Sequence, residues 1–444
     1  MFGIGTIQIF SRNLKMKSMK LGMVCGALIF SQGALAQYDC KSLGMKDCPS
    51  PVDAKLPSAH DMLTWSPSDR VIGFRNTYRL YDGSVFRPDP QNILPLQKSS
   101  IQITNKDILY TVNNKNYQLN DYLKSQNATG LIILKDGKIV LEYYGQGNTP
   151  TSLWTSRSIG KSVVSTLIGI AIKQGKIHSV DDPIIKYLPD LKGSAWQNVT
   201  LKQILQHASG VEWNEDYADP NSDFAHMTYC EAQANPNDCV YKLVKNVKAK
   251  YKPGEVWSYN TGGAWLVGKV LEAATGQNIA HYLQENIWKK VGMEREGVWH
   301  SYQRNVTDMG GHGFNATLRD YARFALFVSK EGRLANGEKL LPDHWLKDLS
   351  NWTTAKNSVT SEYPKGQYGY QWWNYHPTSG TPLLSKNMDA TFWGRGIFGQ
   401  RMAINPKNNI IMMQWSTWDS ARPSAEIENE NALFFNAVSN YLTR

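Results

Sequence analysis

The most regular apolar pattern in the chain is the run of branched and small apolar residues over 163–172, which follows a polar segment over 155–162. The run is long enough for a buried helix, with Lys173 in its last turn and Gly175 as its C-terminal cap. Ser158 and Lys161 stand at its polar beginning, three residues apart, so they fall on one face of the helix. The pattern therefore predicts a buried helix that begins with a serine and a lysine side by side.

Other apolar runs predict the remaining elements. Two β-branched runs flank Asp136-Gly137 and predict a β-hairpin over 130–144. Helices are predicted at 200–210, 262–284, 316–330 and 425–442, and strands at 368–373, 391–402 and 410–415. This order favours an α/β (α+β) fold, in which helices pack on an antiparallel sheet and a mainly helical insertion interrupts it.

Amino-acid composition divides the chain beyond residue 36 into an N-terminal extension and a main domain. Residues 37–125 are rich in Pro, Ser, Asp and Asn, with short strand-like runs such as 101–104, and we interpret them as an extension packed on the main domain. The main domain is predicted at 126–444. Its α/β part is expected over 126–178 and 331–444, and its mainly helical part over 179–330.

Residues 1–36 are predicted to be a secretory signal peptide. Basic residues precede an apolar run from Leu21 to Phe30, and Ala34-Leu35-Ala36 offers a small-residue cleavage site. The run is too short for a permanent span, and no later run predicts stable membrane insertion. The expected location is therefore the periplasm or the exterior of the cell.

Four cysteines remain beyond the predicted signal peptide, as two sequence-local pairs: Cys40 with Cys48, and Cys230 with Cys239. Such spacing favours two short-loop disulfides in an oxidising compartment, although sequence alone allows other pairings. There is no Cys-x-x-Cys, and no histidine spacing typical of a metal site; His207 is interpreted as structural. We therefore predict no metal and no cofactor.

Charge does not indicate a nucleic-acid partner. Lys and Arg number 48 against 38 Asp and Glu, for a formal net charge of +10, but the basic residues are spread along the chain without interleaved aromatics. Fifteen tryptophans are many, and some are expected to line a cleft, with Trp154, Trp257, Trp372 and Trp393 as candidates.

The pairing of Ser158 with Lys161 suits nucleophilic catalysis. A serine hydroxyl is a poor nucleophile without an adjacent base, and a lysine becomes that base when burial lowers its pKa. A phosphate-binding loop is the weaker alternative, because that pattern requires glycine at 155, where the chain has Thr155. An incidental serine and lysine on a structural helix is the stronger alternative.

Two more segments contain residues that are candidates for a catalytic role. The loop over 251–263 contains Tyr259-Asn260-Thr261, where a phenol near a cationic lysine can relay a proton, or can simply cap the next helix. The segment over 394–400 is glycine-rich between apolar residues, which marks close backbone approach, or a bulge or turn. A strand with free N–H groups there would complete an oxyanion hole with the Ser158 amide.

These segments together resemble the penicillin-recognising serine hydrolases, which comprise class C β-lactamases, DD-peptidases and related esterases. The resemblance covers about 127–444, and among these proteins the chain most resembles the 6-aminohexanoate-dimer hydrolases. It is carried by Ser158-Ile-Gly-Lys161, by the loop from Pro253 to Thr261, and by Gly396-Ile-Phe-Gly-Gln400. It implies a β-lactamase/DD-peptidase-like fold.

The resemblance also implies residue roles. Ser158 would attack a carbonyl, Lys161 would accept its proton, Tyr259 would protonate the leaving group, and the amides of Ser158 and Ile397 would bind the oxyanion. An acyl-enzyme would form and be hydrolysed by water.

Substrate contacts are implied at four further positions: Tyr217, Asn315, Thr261 and Arg395. The chain departs from the family pattern at two of them. Gly394-Arg395-Gly396 stands where many β-lactamases and DD-peptidases open the third motif with lysine or histidine, and Thr261 stands where class C enzymes have asparagine.

Because of these departures, the sequence favours a hydrolase of small amides or esters. The first alternative is a β-lactamase or a DD-peptidase acting on cell-wall peptides, and the second is a non-catalytic envelope binding protein on the same fold. The expected partner is a small molecule, and the sequence makes no prediction of oligomeric state.

Overall fold

A computed structural model describes residues 38–349, 368–374, 385–388, 390–422 and 424–444. The predicted signal peptide lies outside these described residues, and so does most of the segment between 349 and 385. Within the described ranges, every helix is too short or too polar to cross a membrane.

The strands and helices occur in groups along the chain, and the helices α4 to α9 lie between β6 and β7. The strands are β1 Gly83–Phe86, β2 Leu109–Val112, β3 Lys115–Gln118, β4 Ala128–Lys135, β5 Lys138–Tyr144, β6 Trp154–Thr155, β7 Gly297–Gln303, β8 Thr307–Asp308, β9 Phe314–Ala316, β10 Trp373–Asn374, β11 Phe392–Gly396, β12 Gln400–Asn405 and β13 Ile410–Ser416. The α-helices are α1 Pro67–Arg75, α2 Thr77–Leu80, α3 Leu119–Ser125, α4 Ile159–Lys173, α5 Leu201–Leu205, α6 Asp223–Glu231, α7 Pro236–Lys245, α8 Thr261–Thr275, α9 Ile279–Leu283, α10 Leu318–Ser329, α11 Trp345–Leu349 and α12 Ala425–Leu442.

The main sheet is antiparallel, with the strand order β10-β11-β12-β13-β4-β5. Its two faces bury different side chains of β4. Leu131 and Ile133 pack in a cluster with Phe434 of α12, whereas Ile132 and Leu134 pack in the larger core that includes α4 and α10. Apolar residues on both faces of a strand therefore reflect helices on both sides of the sheet. The predicted antiparallel sheet with flanking helices is confirmed.

Local turn chemistry sets several boundaries. Asp136 and Gly137 have φ values of 52° and 77°, as a two-residue hairpin turn with left-handed residues requires, and they join β4 to β5 as predicted. Gly175, with φ 71°, follows the end of α4 in the left-handed conformation expected of a C-terminal cap. The final helix spans Ala425–Leu442, also as predicted.

Other predicted boundaries were wrong. Residues 262–284 form two helices, because Gly276 adopts a left-handed conformation that ends α8. Residues 391–402 form two strands, since the chain turns at 397–399 and β11 pairs antiparallel with β12. Residues 101–104 are not a strand.

The extension before 126 contributes to the folded unit more than predicted. Its strand β1 pairs with β7, so Gly83–Phe86 is an edge strand of a second sheet with the order β1-β7-β9-β6, to which β8 adds by pairing with β7. Phe86 and Phe74 are fully buried in the main core. The extension is thus an integral part of the fold.

Two disulfides close short loops, Cys40–Cys48 and Cys230–Cys239. The sequence-local pairing is confirmed. The second bridge joins the end of α6 to the start of α7, so it fixes the position of Glu231, the last residue of α6.

Candidate active site

Ser158 lies at the N-terminus of α4, where the chain turns sharply out of the second sheet. Ser156 N–H donates to the Phe314 carbonyl at 2.8 Å, and Arg157 follows with a left-handed φ of 47°. Ser158 then takes the N-cap position with helical torsion angles. The Ser158 side chain is partly exposed, whereas the residues directly before and after it are buried. The turn therefore presents one hydroxyl at the positive end of a buried helix.

Lys161 lies one turn further along α4 and is almost fully buried. Its Nζ is 3.0 Å from Ser158 Oγ and donates to the Gly311 carbonyl at 2.8 Å. Burial lowers the pKa of Lys161 to about 8, although the carboxylates of Glu215 and Glu231 act in the opposite direction. An appreciable fraction of the amine is therefore neutral near physiological pH and able to accept a proton.

The phenol ring of Tyr259 lies beside the Lys161 amine. The Lys161 Nζ lies 5.2 Å from the centroid of the Tyr259 ring. The ring is packed between the His207 imidazole, with centroids 4.3 Å apart, and the stacked Trp373 indole at 5.5 Å. His207 is buried and accepts a hydrogen bond from the Asn260 N–H at 3.2 Å, so it supports the tyrosine loop as the predicted structural role requires.

A buried carboxylate, Glu215, anchors the loop that follows Tyr259. It accepts hydrogen bonds from the Thr261 N–H at 2.9 Å, from the Thr261 hydroxyl, from the Trp213 indole N–H, and from the Tyr217 hydroxyl at 3.1 Å. Four donors around one carboxylate hold its side chain in one position. Sequence analysis did not identify Glu215, because its contact with Thr261 forms only in the folded chain.

Strand β11 runs against the N-terminus of α4. A Cβ on Gly396 would stand 2.5 Å from the Ser156 carbonyl oxygen, and one on Gly394 would stand 3.3 Å from the Ile159 side chain. Only glycine allows so close an approach, as the sequence pattern indicated. The partly exposed Ile397 directly follows Gly396, so its backbone lies near the turn that contains Ser156 and Ser158. Binding of an oxyanion by the N–H groups of Ser158 and Ile397 stays a prediction.

Two of the predicted substrate contacts lie beside the anchoring carboxylate. Tyr217 is partly exposed, and its ring is covered by the Arg422 guanidinium at 5.3 Å. Thr261 is fully buried with its hydroxyl bonded to Glu215, so the residue that replaces asparagine in the second motif serves to fix the loop. A substrate contact at Tyr217 stays a prediction.

The side chains of the other two predicted substrate-contact residues, Asn315 and Arg395, bond to other groups of the protein. Asn315 is buried in β9, where its amide donates to the carbonyls of Val298 and Gly313 at 2.9 and 2.8 Å. Arg395 is mostly buried, and its guanidinium is 2.7 Å from Glu428. Their contact with substrate stays a prediction.

The four tryptophans that were expected to line a cleft are buried. Trp154, Trp372 and Trp393 are fully buried and Trp257 is nearly so, which makes that expectation wrong for these residues. They fill the core, where large aromatic area is most stabilising. The partly exposed tryptophan beside the site is Trp373, which stacks on Tyr259.

A serine at a helix start, a buried lysine one turn on and a tyrosine ring over that lysine thus lie together beside a glycine-containing strand. The beta-lactamase family model matches residues 119–437, well over half of the chain, and the chain belongs to that family. It is a serine hydrolase on the β-lactamase and penicillin-binding-protein fold.

Individual relatives are similar over most of the chain. The 6-aminohexanoate-dimer hydrolase of Paenarthrobacter ureafaciens is 24% identical over 314 residues, which cover 68% of this chain and 75% of the relative. A solved structure named "Putative 6-aminohexanoate-dimer hydrolase from Bacillus anthracis" superposes with a TM-score of 0.73 at 20% identity, covering 88% of this chain and 99% of that one. A penicillin-binding protein from Bacillus halodurans superposes with a TM-score of 0.53 at 17% identity, covering 71% and 98%. The structural likenesses show the shared fold.

Proposed function

We propose that the protein cleaves an amide or ester bond in a small molecule through an acyl-enzyme on Ser158, in the periplasm or outside the cell. The observation that carries this proposal is the 3.0 Å contact between Ser158 Oγ and the buried Lys161 Nζ. The two disulfides support an oxidising compartment.

The reaction follows from the positions of these groups. Ser158 Oγ attacks the substrate carbonyl carbon while its proton passes to neutral Lys161 Nζ, and the carbonyl oxygen becomes an oxyanion. The N–H groups of Ser158 and Ile397 stabilise that charge. Tyr259 relays the proton to the leaving amine or alcohol as its bond to carbon breaks. Water then attacks the acyl-enzyme and gives up a proton to Lys161. As the bond between Ser158 Oγ and the acyl carbon breaks, the acid is released and Lys161 returns the proton to Ser158 Oγ.

The charged groups near the site bear on which substrate it accepts. Arg395 is already paired with Glu428, which also holds Arg401 at 2.7 Å, so a substrate carboxylate would have to displace an internal partner. The wall beside Tyr259 is aromatic, formed by the partly exposed Trp373, which stacks on the Tyr259 ring. These features favour an uncharged, partly apolar acyl group over a β-lactam or cell-wall peptide carboxylate. The name of the Paenarthrobacter relative supports a linear amide.

Turnover of three substrates tests the proposal: p-nitrophenyl esters, nitrocefin and the linear 6-aminohexanoate dimer. We expect hydrolysis of the ester and the dimer, with nitrocefin the poorest. Ser158→Ala should abolish all turnover, whereas Ser68→Ala, at an exposed serine of α1, should not. Preferred turnover of nitrocefin would favour the β-lactamase alternative, and no turnover of any substrate by a folded protein would favour the binding protein.

A further inference from the structure

Three metal-ligating side chains meet in a buried cluster that the reaction above does not use. Glu231 ends α6, His300 lies in β7 and His312 lies just before β9. All three are buried, and their ligand atoms all lie within 4.8 Å of one another. His312 Nε2 is 3.1 Å from Glu231 Oε1. Bonds of about 2.0–2.1 Å to a tetrahedral Zn²⁺ place adjacent N and O ligands about 3.3 Å apart, so this pair already has a suitable separation.

We propose that Glu231, His300 and His312 bind one divalent transition-metal ion of the zinc class, with the fourth position left for water. Two imidazoles and one carboxylate are a donor set that zinc accepts in proteins. The three ligands lie far apart in the sequence, at positions 231, 300 and 312. No short sequence motif therefore indicates the site.

The surroundings hold the ligands in place. The Tyr302 hydroxyl donates to Glu231 Oε1 at 3.4 Å, the kind of outer contact that orients a ligating carboxylate. The Tyr81 ring lies 4.4 Å from the His300 ring, and the Cys230–Cys239 disulfide fixes the residue before Glu231. The cluster is therefore preorganised, which reduces the entropy lost when a metal binds.

The cluster also lies next to the reacting pair. His312 directly follows Gly311, whose carbonyl accepts the hydrogen bond from Lys161. Binding is nevertheless measurable without any substrate, so the metal site and the hydrolase function are tested separately.

The test is titration of chelator-dialysed full-length protein with Zn²⁺ by calorimetry, and with Co²⁺ by visible absorption. We expect one equivalent of each metal, with the intense d–d bands of tetrahedral cobalt. Glu231→Gln and His312→Asn should each weaken binding at least tenfold. His226→Asn, at an exposed histidine of the same helix α6, should bind like the wild type.

Two outcomes would overturn the site: no saturable binding by the wild type, or Glu231→Gln binding as tightly as the wild type. In either case the trio is a hydrogen-bonded ion pair with a neighbouring histidine. If a variant does not fold, as judged by circular dichroism, the cobalt spectrum of the wild type decides: octahedral, weak bands would contradict the proposal, and tetrahedral bands would support it.

Discussion

Replacing Lys161 with methionine should abolish turnover and also reveal what the buried lysine costs in stability. The side chain has a pKa of about 8 in the folded protein, against 10.5 for an ordinary lysine, because burial disfavours its charged form. The unfolded chain thus holds the proton more tightly than the folded one. Folding stability contributed by this group must therefore rise with pH between about 8 and 10.5.

The magnitude follows from the shift. A pKa unit corresponds to about 1.36 kcal/mol, so a lysine protonated in both states lowers the free energy of unfolding by about 3 kcal/mol below pH 8. By pH 9.5 about 2 kcal/mol of that penalty has disappeared, since the folded lysine has released its proton. Lys161→Met removes the penalty but leaves the Gly311 carbonyl without its donor, a cost of roughly 1–3 kcal/mol that does not depend on pH.

The assay is urea unfolding of wild type and Lys161→Met, followed by tryptophan fluorescence at pH 7 and pH 9.5. Other titrating groups cancel in the difference between the two proteins. We expect the stability of the variant relative to the wild type to fall by about 2 kcal/mol between the two pH values. A difference that stays constant within about 0.5 kcal/mol would show that Lys161 keeps an ordinary pKa, and would refute its role as a base at neutral pH.

Three further predictions concern the same site. Glu215→Gln should move the acid limb of the kcat/KM profile for a p-nitrophenyl ester to lower pH, because the glutamate charge raises the pKa of the lysine; an unmoved limb would contradict this. Gly396→Ala should slow acylation at least tenfold, since its Cβ would stand 2.5 Å from a backbone oxygen, and more than Gly394→Ala, whose nearest contact is 3.3 Å; the reverse order would contradict the close approach. Tyr259→Phe should slow amide hydrolysis at least tenfold more than hydrolysis of a p-nitrophenyl ester, whose leaving group needs no proton, and equal losses would argue against a relay.

Elements governed by local rules were predictable from the sequence. The helix that begins after Ser158 and ends before Gly175, and the hairpin turn at Asp136-Gly137, depend on an apolar period and on residues that tolerate left-handed torsion angles. The two disulfides followed from short loops. The proximity of Ser158 and Lys161 followed from helical spacing alone.

Features that depend on distant residues were not predictable. Glu215 and Glu231 became part of the site environment only because the helical segment packs against α4, and nothing in their local sequence marks them. The break at 397–399 was missed because Phe398 adopts a left-handed φ of 61°, which a bulky residue rarely takes and which the surrounding structure imposes. The engagement of Arg395 by Glu428 likewise required the position of α12.

Mapping of a fluorophosphonate adduct by peptide mass spectrometry tests the central claim most directly, that Lys161 activates Ser158 as the nucleophile. The prediction is one adduct per chain, on Ser158, absent in Ser158→Ala and formed at least a hundredfold more slowly in Lys161→Met. An adduct on another residue, or undiminished labelling of either variant, would contradict the claim.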